Sequence, residues 1–292
     1  LSLVGSEMCI RDSHYNIDCD YMVGAKLDGF DTMVRLTTEA PLIVLEGDEY
    51  LSSPIDRRPK FHWYKPHIAI LSGIAWDHIN VFPTFENYVN QFRIFKNDVE
   101  DVLFYCDDDK VLSDLCQEDS TCRLESYSVP NHCVEDGITY LIDGESKHRL
   151  KIFGEHNLQN LNAALLVCQE LGIQKSDFYK AISLFKGASK RLELVKRGES
   201  SVVYKDFAHS PSKLKATSSA MKKQYTHRAL VACMELHTFS SLNKDFLKEY
   251  LGAMDTPDIA VVYFSKAAIA HKKLEDISVE QVHKAFGRQD LK

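Results

Sequence analysis

Two apolar runs of this chain end beside side chains able to do chemistry. Leu42–Leu45 (LIVL) runs straight into Glu46, Asp48 and Glu49, and Ile68–Leu71 (IAIL) is followed shortly by Asp77 and His78. Carboxylate oxygens suit a hard cation such as Mg²⁺, which takes few protein ligands and prefers phosphate oxygens as its other partners. The same residues also read as a solvated acidic loop and a hydrogen-bonded structural histidine. Position favours chemistry, because open α/β sheets bind ligands beyond the carboxyl ends of their strands.

Three further segments offer polar groups at helix starts or strand ends. In Gly154–Asn160 (GEHNLQN), Asn157 and Asn160 lie three apart and share a helix face. An amide both donates and accepts, which fits an adenine edge, yet Asn is also a preferred helix N-cap. In Asp206–Pro211 (DFAHSP), Ser210-Pro211 marks a helix start, and helix N-termini favour anions. There Asp206 reads as a ribose-hydroxyl partner and His209 as a phosphate neighbour, or both as parts of a capped turn. Arg191 reads as a phosphate ligand across a cleft or as a solvated linker charge. No G-x-x-x-x-G-K-[ST] phosphate loop occurs.

The elements that must position these groups follow from periodicity. Parallel strands are expected at 42–46, 68–71 and 101–106, with a short one at 33–36. Phe85, Tyr88, Val89, Phe92 and Phe95 predict a helix over 84–97, and Leu158, Leu161, Leu165 and Cys168 one over 157–171 capped by Gly172. Shorter helices are expected at 112–116 and 175–185. Asp136-Gly137 and Asp143-Gly144 predict hairpin turns in an antiparallel patch over 125–153. Beyond Gly187–Leu192 the pattern restarts as strand 202–205, helix 211–224, strand 229–234, helix 244–254, strand 259–264 and a helix from 280. Such alternation predicts a doubly wound parallel sheet. The domains are thus 14–187 and 188–292, with Leu1–Ser13 expected to be a non-native leader and the chain a fragment at both ends.

Composition excludes several classes. A net charge of −7 offers no basic footprint for nucleic acid. No apolar run approaches the roughly 20 residues of a membrane span. The eight cysteines form no C-x-x-C pair, the pattern of reduced thiols in a cytoplasmic protein.

Together and in order, EGDEY, AWDH, GEHNLQN, RLE and DFAHSP resemble segments of the Mur ligase family of ATP-dependent amide-forming enzymes. LEGDEYLSSPIDRRPKF, GIAWDHINVFPTFENYVNQF and ACMELHTFSSLNKDF are similar to its muropeptide-ligase branch. The resemblance covers residues 15–292 and implies an α/β central ATPase domain followed by a Rossmann-like C-terminal domain, both partial, with mainly parallel sheets and helices on both faces. It implies Mg²⁺ on Glu46 and His78, ATP on His156, Asn157, Asn160 and Asp206, and catalytic roles for Arg191 and His209. The implied substrates are UDP-N-acetylmuramate and the murein tripeptide L-alanyl-γ-D-glutamyl-meso-diaminopimelate. The muramoyl carboxylate would become an acyl phosphate, which the tripeptide amine attacks, in a cytoplasmic monomer of peptidoglycan recycling.

The chain also departs from the family. The phosphate loop and the preceding uridine-nucleotide domain are missing, Ala75, Asn80, Lys205 and Ser210 replace common family residues, and Gln91 stands near a lysine that other branches carbamylate. The fragment alone is therefore expected to be inactive. The alternatives are an adenine-binding module without catalysis, a metal-dependent hydrolase on Glu46, Asp48 and His78, UDP-N-acetylmuramate–L-alanine ligation, or ligation to folate or another carboxylate.

Overall fold

The structure, a computed structural model, describes residues 19–24, 32–76 and 81–292. The expectations for Leu1–Ser13, Asp77, His78 and Asn80 lie outside the described residues. By contacts the chain divides into two compact units, with the break after Glu193.

The first unit is built on short strands, with Cys19 and Tyr21 of β1, Val44 of β3 and most of β5 buried. Strand β1 (Cys19–Met22) runs antiparallel to β2 (Val34–Arg35) and parallel to β3 (Leu42–Leu45), with Tyr21 opposite Val44. Strands β4 (Ile68–Leu71), β5 (Val102–Cys106) and β6 (Arg123–Tyr127) form a second, parallel sheet. Its centre is β5, where Val102, Leu103 and Phe104 are fully or almost fully buried. A continuous apolar run is what a strand covered on both faces requires.

Helix α1 (Phe85–Asp98) begins where the Thr84 side chain accepts the Asn87 N–H, and it buries Tyr88, Phe92 and Phe95 as its spacing predicts. Phe85 stays exposed, and Lys96 is fully buried instead. The short α2 (Lys110–Leu115) starts two residues earlier than expected because Asp109 caps it. Helix α3 (Glu155–Glu170) buries Leu158, Leu161, Leu165 and Cys168. Helix α4 (Lys175–Ile182) stops short of Phe185.

The antiparallel patch forms as predicted: β7 (His132–Glu135), β8 (Ile138–Asp143) and β9 (Ser146–Leu150) make a meander. Glu135 pairs with Ile138, leaving Asp136 and Gly137 as a two-residue turn with φ of +51° and +72°. Positive φ at both positions matches the right-handed twist of the flanking strands.

Strand β10 (Glu193–Arg197) starts at the boundary and lies beside β11 (Val202–Lys205) of the second unit, which also holds the parallel pair β12 (Val231–Leu236) and β13 (Ile259–Phe264). Strand β10 was not foreseen; all five of its residues are exposed, so no burial pattern marks it. Helix α5 (Pro211–Gln224) has the predicted ends. The helix expected over 244–254 breaks up: α6 covers only Lys244–Leu247, a 3₁₀ turn follows, and the chain leaves helical geometry at Leu251 with ψ of 120°. Residues 266–271 form an unforeseen helix, and a last one spans Val279–Phe286. Met234, Leu236, Leu242, Tyr250 and Phe286 belong to this unit's own core.

Candidate functional site

Glu46 is the first residue beyond β3. Its backbone N–H donates to the Met22 carbonyl of β1 (2.8 Å), continuing the ladder one step. Its carboxylate turns back to accept the Gly24 N–H (2.5 Å). A Cβ on Gly24 would lie 2.9 Å from one carboxylate oxygen, so any larger residue there would make the Glu46 side chain shift. The acidic run does not act as one cluster. Asp48 accepts the Tyr50 N–H (3.0 Å) and pairs with Lys60 (2.9 Å), which makes it a loop-stabilising residue. Burial, together with the charges of Asp48 and Glu46, raises the pKa of the nearby Tyr64 hydroxyl.

Among the described residues no group of three or more His, Cys, Asp and Glu side chains could hold a metal. His78, the other expected ligand, lies outside the described residues.

A second set of polar groups gathers at the carboxyl ends of β5 and β6, and the sequence pattern missed much of it. Asp109 caps α2 through the Leu112 N–H (3.0 Å) and accepts the Ile74 N–H (2.6 Å), tying the segment after β4 to the end of β5. Asp108 accepts from the Gln159 side chain (2.7 Å), and Asn162 donates to the Ser128 carbonyl beyond β6 (2.9 Å). These two bonds lay the first turns of α3 against the strand ends. The triple aspartate after a buried strand was the available signal for Asp108 and Asp109. Gln159 carried none beyond its place in GEHNLQN.

Within that segment the capping alternative for Asn157 fails. The N-cap is Gly154, whose φ of +91° suits a residue without a side chain, and Asn157 lies inside the first turn. It is 3% exposed and donates through Nδ2 to the Phe153 carbonyl (2.8 Å), while Oδ1 is buried without a partner. A buried orphan acceptor is costly unless something donates to it. His156 and Asn160 are partly exposed on the same helix. Arg191 sits in the turn before β10, flanked by Lys190 and Leu192 at φ of +58° and +47°, and its N–H donates to the Ala188 carbonyl (3.1 Å).

Asp206 and His209 belong to the second unit. Asp206 accepts the Ala208 N–H (2.7 Å) and the Thr217 hydroxyl (3.2 Å), holding its loop to α5. Nδ1 of His209 lies 2.9 Å from the Phe207 carbonyl, and Tyr250 donates to the His209 carbonyl (2.6 Å). The imidazole of His237, just beyond β12, lies 6.2 Å from that of His209, and Phe207 touches both rings. His237 was not singled out from sequence, although it too follows a strand directly.

Residues 30–168 match the Mur ligase middle domain. A UDP-N-acetylmuramate–L-alanine ligase from Paenarthrobacter aurescens (strain TC1) is 31% identical over 259 residues, 84% of this chain and 55% of that protein. The chain thus spans about half the length of the curated relatives it matches. A murein peptide ligase from Psychrobacter arcticus superposes at a TM-score of 0.63 with 17% identity, covering 100% of this chain and 67% of that one. The MurF ligase of Thermotoga maritima in complex with ADP superposes at 0.71 with 14% identity, covering 99% and 66%. Residues 30–168 thus match the Mur ligase middle domain, and the α/β fold is that of the Mur ligases.

Proposed function

We propose that this chain is part of an ATP-dependent ligase that joins the carboxylate of UDP-N-acetylmuramate to an amine. In this reading residues 14–187 are the central ATP-binding domain and 188–292 the C-terminal domain. The observation that carries it is Asn157, a buried amide with an orphan Oδ1 at the head of a helix pinned to strand ends. That oxygen suits an amino-group donor such as the adenine edge, with His156 and Asn160 beside it. Glu46 offers an oxygen ligand to Mg²⁺, as His78 would offer a nitrogen. The bound cation would neutralise phosphate charge, and most of the remaining catalysis of phosphoryl transfer is positioning. Arg191, Asp206 and His209 are proposed to complete the nucleotide site.

The names of the curated relatives favour L-alanine as the amine. The tripeptide expected from LEGDEYLSSPIDRRPKF and its companion segments is the second reading, and the murein peptide ligase fold neighbour is compatible with it.

Calorimetry of this chain with Mg²⁺ and ADP tests the nucleotide half. Binding is expected, and Asn157→Leu should weaken it about tenfold, the loss of one buried hydrogen bond. No binding by a folded chain would remove the reading. ADP release by the gene's full product, with UDP-N-acetylmuramate and either L-alanine or the tripeptide, decides the amine.

A further inference from the structure

Helix α3 starts without a side-chain cap, because its N-cap residue is Gly154. Two side chains further along tie it down instead. Gln159 donates to Asp108 Oδ2 at 2.7 Å, and Asn162 donates to the Ser128 carbonyl at 2.9 Å. Three apart, they share one face of the helix. At 3.6 residues per turn, Gln159 sits about 200° round the axis from Asn157. Asp108 is itself held from both sides. The Asp107 N–H donates to the Tyr127 carbonyl of β6 at 3.0 Å, and the Asp109 carboxylate caps α2.

Given the nucleotide site proposed above, on which this rests, we propose that Asp108 and Gln159 are positioning residues: their bond sets the roll of α3 and so aims the buried Oδ1 of Asn157 at the nucleotide. Asp108 is exposed, and substitutions at exposed sites cost little stability. The value of the bond is direction. Leu158 and Leu161 are fully buried and keep α3 on the core, but apolar contact is non-directional. A side-chain atom lies roughly 6 Å from a helix axis, so a roll of about 10° carries it roughly 1 Å. Such a shift takes a hydrogen bond of about 2.9 Å out of bonding range. The Asn157 amide cannot turn to compensate, because its Nδ2 is held by the Phe153 carbonyl.

Calorimetry of this chain with Mg²⁺ and ADP tests the assignment. Asp108→Ala should weaken ADP about fivefold, part of the tenfold loss expected from Asn157→Leu, at an unchanged melting temperature. Asp108→Asn keeps an acceptor for Gln159 and should stay within about twofold of the unaltered chain. Gln159→Glu sets two carboxylates against each other and should weaken ADP about as much as Asp108→Ala. Adding Asp108→Asn supplies a donor and should restore the affinity. In an Asn157→Leu background Asp108→Ala should change nothing further, since it acts through Asn157. Should Asp108→Ala fail to fold, the Gln159→Glu and Asp108→Asn pair decides. Unchanged ADP affinity in Asp108→Ala overturns the proposal. So does a loss that Asp108→Asn shares, or one that adds in full to that of Asn157→Leu. A loss in Asn157→Leu without one in Asp108→Ala leaves the nucleotide reading standing and sinks this assignment alone. Absence of ADP binding by the unaltered, folded chain removes both.

Discussion

Glu46 is placed by a neighbour that has no side chain. The Gly24 N–H holds the carboxylate, and a methyl group there would press on both oxygens at 2.9 and 3.1 Å. Gly24→Ala should therefore displace the proposed Mg²⁺ ligand while sparing the core, since Gly24 is exposed. We expect the Mg²⁺-dependent part of ADP affinity to fall several-fold at an unchanged melting temperature, measured by calorimetry with and without the cation. At the same scale, burial pushes the Cys116 thiol from its ordinary value near 9 up to about 11. The unfolded chain then loses this proton at lower pH than the folded one. The contribution of the thiol is complete below pH 9 and is lost as pH rises from about 9 to about 11. Urea titrations across that window should show stability falling, and less steeply in Cys116→Ala.

Helix α1 shows how a charged residue can hold elements together. Its stripe of Tyr88, Phe92 and Phe95 supplies the apolar contact. The fully buried Lys96 adds something different, donating to the carbonyls of Leu115, Glu118 and Asp119 at 3.0 to 3.1 Å. Those carbonyls lie at and beyond the end of α2, where helix carbonyls lack intrahelical partners. Lys96→Met keeps the stem and removes all three donors. It should cost about 2 kcal/mol or more, since hydrogen bonds from a charged group are worth roughly 1.5–3 kcal/mol each and the orphaned Leu115 carbonyl stays buried. Urea denaturation with an unchanged m-value would give that difference, and a loss under about 0.5 kcal/mol would show that solvent reaches the carbonyls.

At the scale of the whole molecule, each unit has its own apolar core. Both tryptophans, Trp63 and Trp76, belong to the first unit. Tryptophan fluorescence should thus report the first unit alone, while far-ultraviolet circular dichroism reports both. The two urea transitions should not coincide, as two-state unfolding of one cooperative body would require. Coincident curves would show that the units unfold as one.

The sequence by itself determined the features governed by neighbours in the chain. Apolar runs gave the buried strands, spacing of three and four gave α1 and α3, and Asp-Gly pairs gave the meander, because each rests on local periodicity or turn geometry. It also brought Glu46 and GEHNLQN forward, since strand ends and helix starts are legible one segment at a time. Only the tertiary structure decided which groups meet across distance. Asp108 with Gln159, Asp109 with Ile74 and Lys96 with the end of α2 join residues 19 to 51 apart. Burial and hydrogen bonding there depend on sheet order and register, which no local pattern encodes.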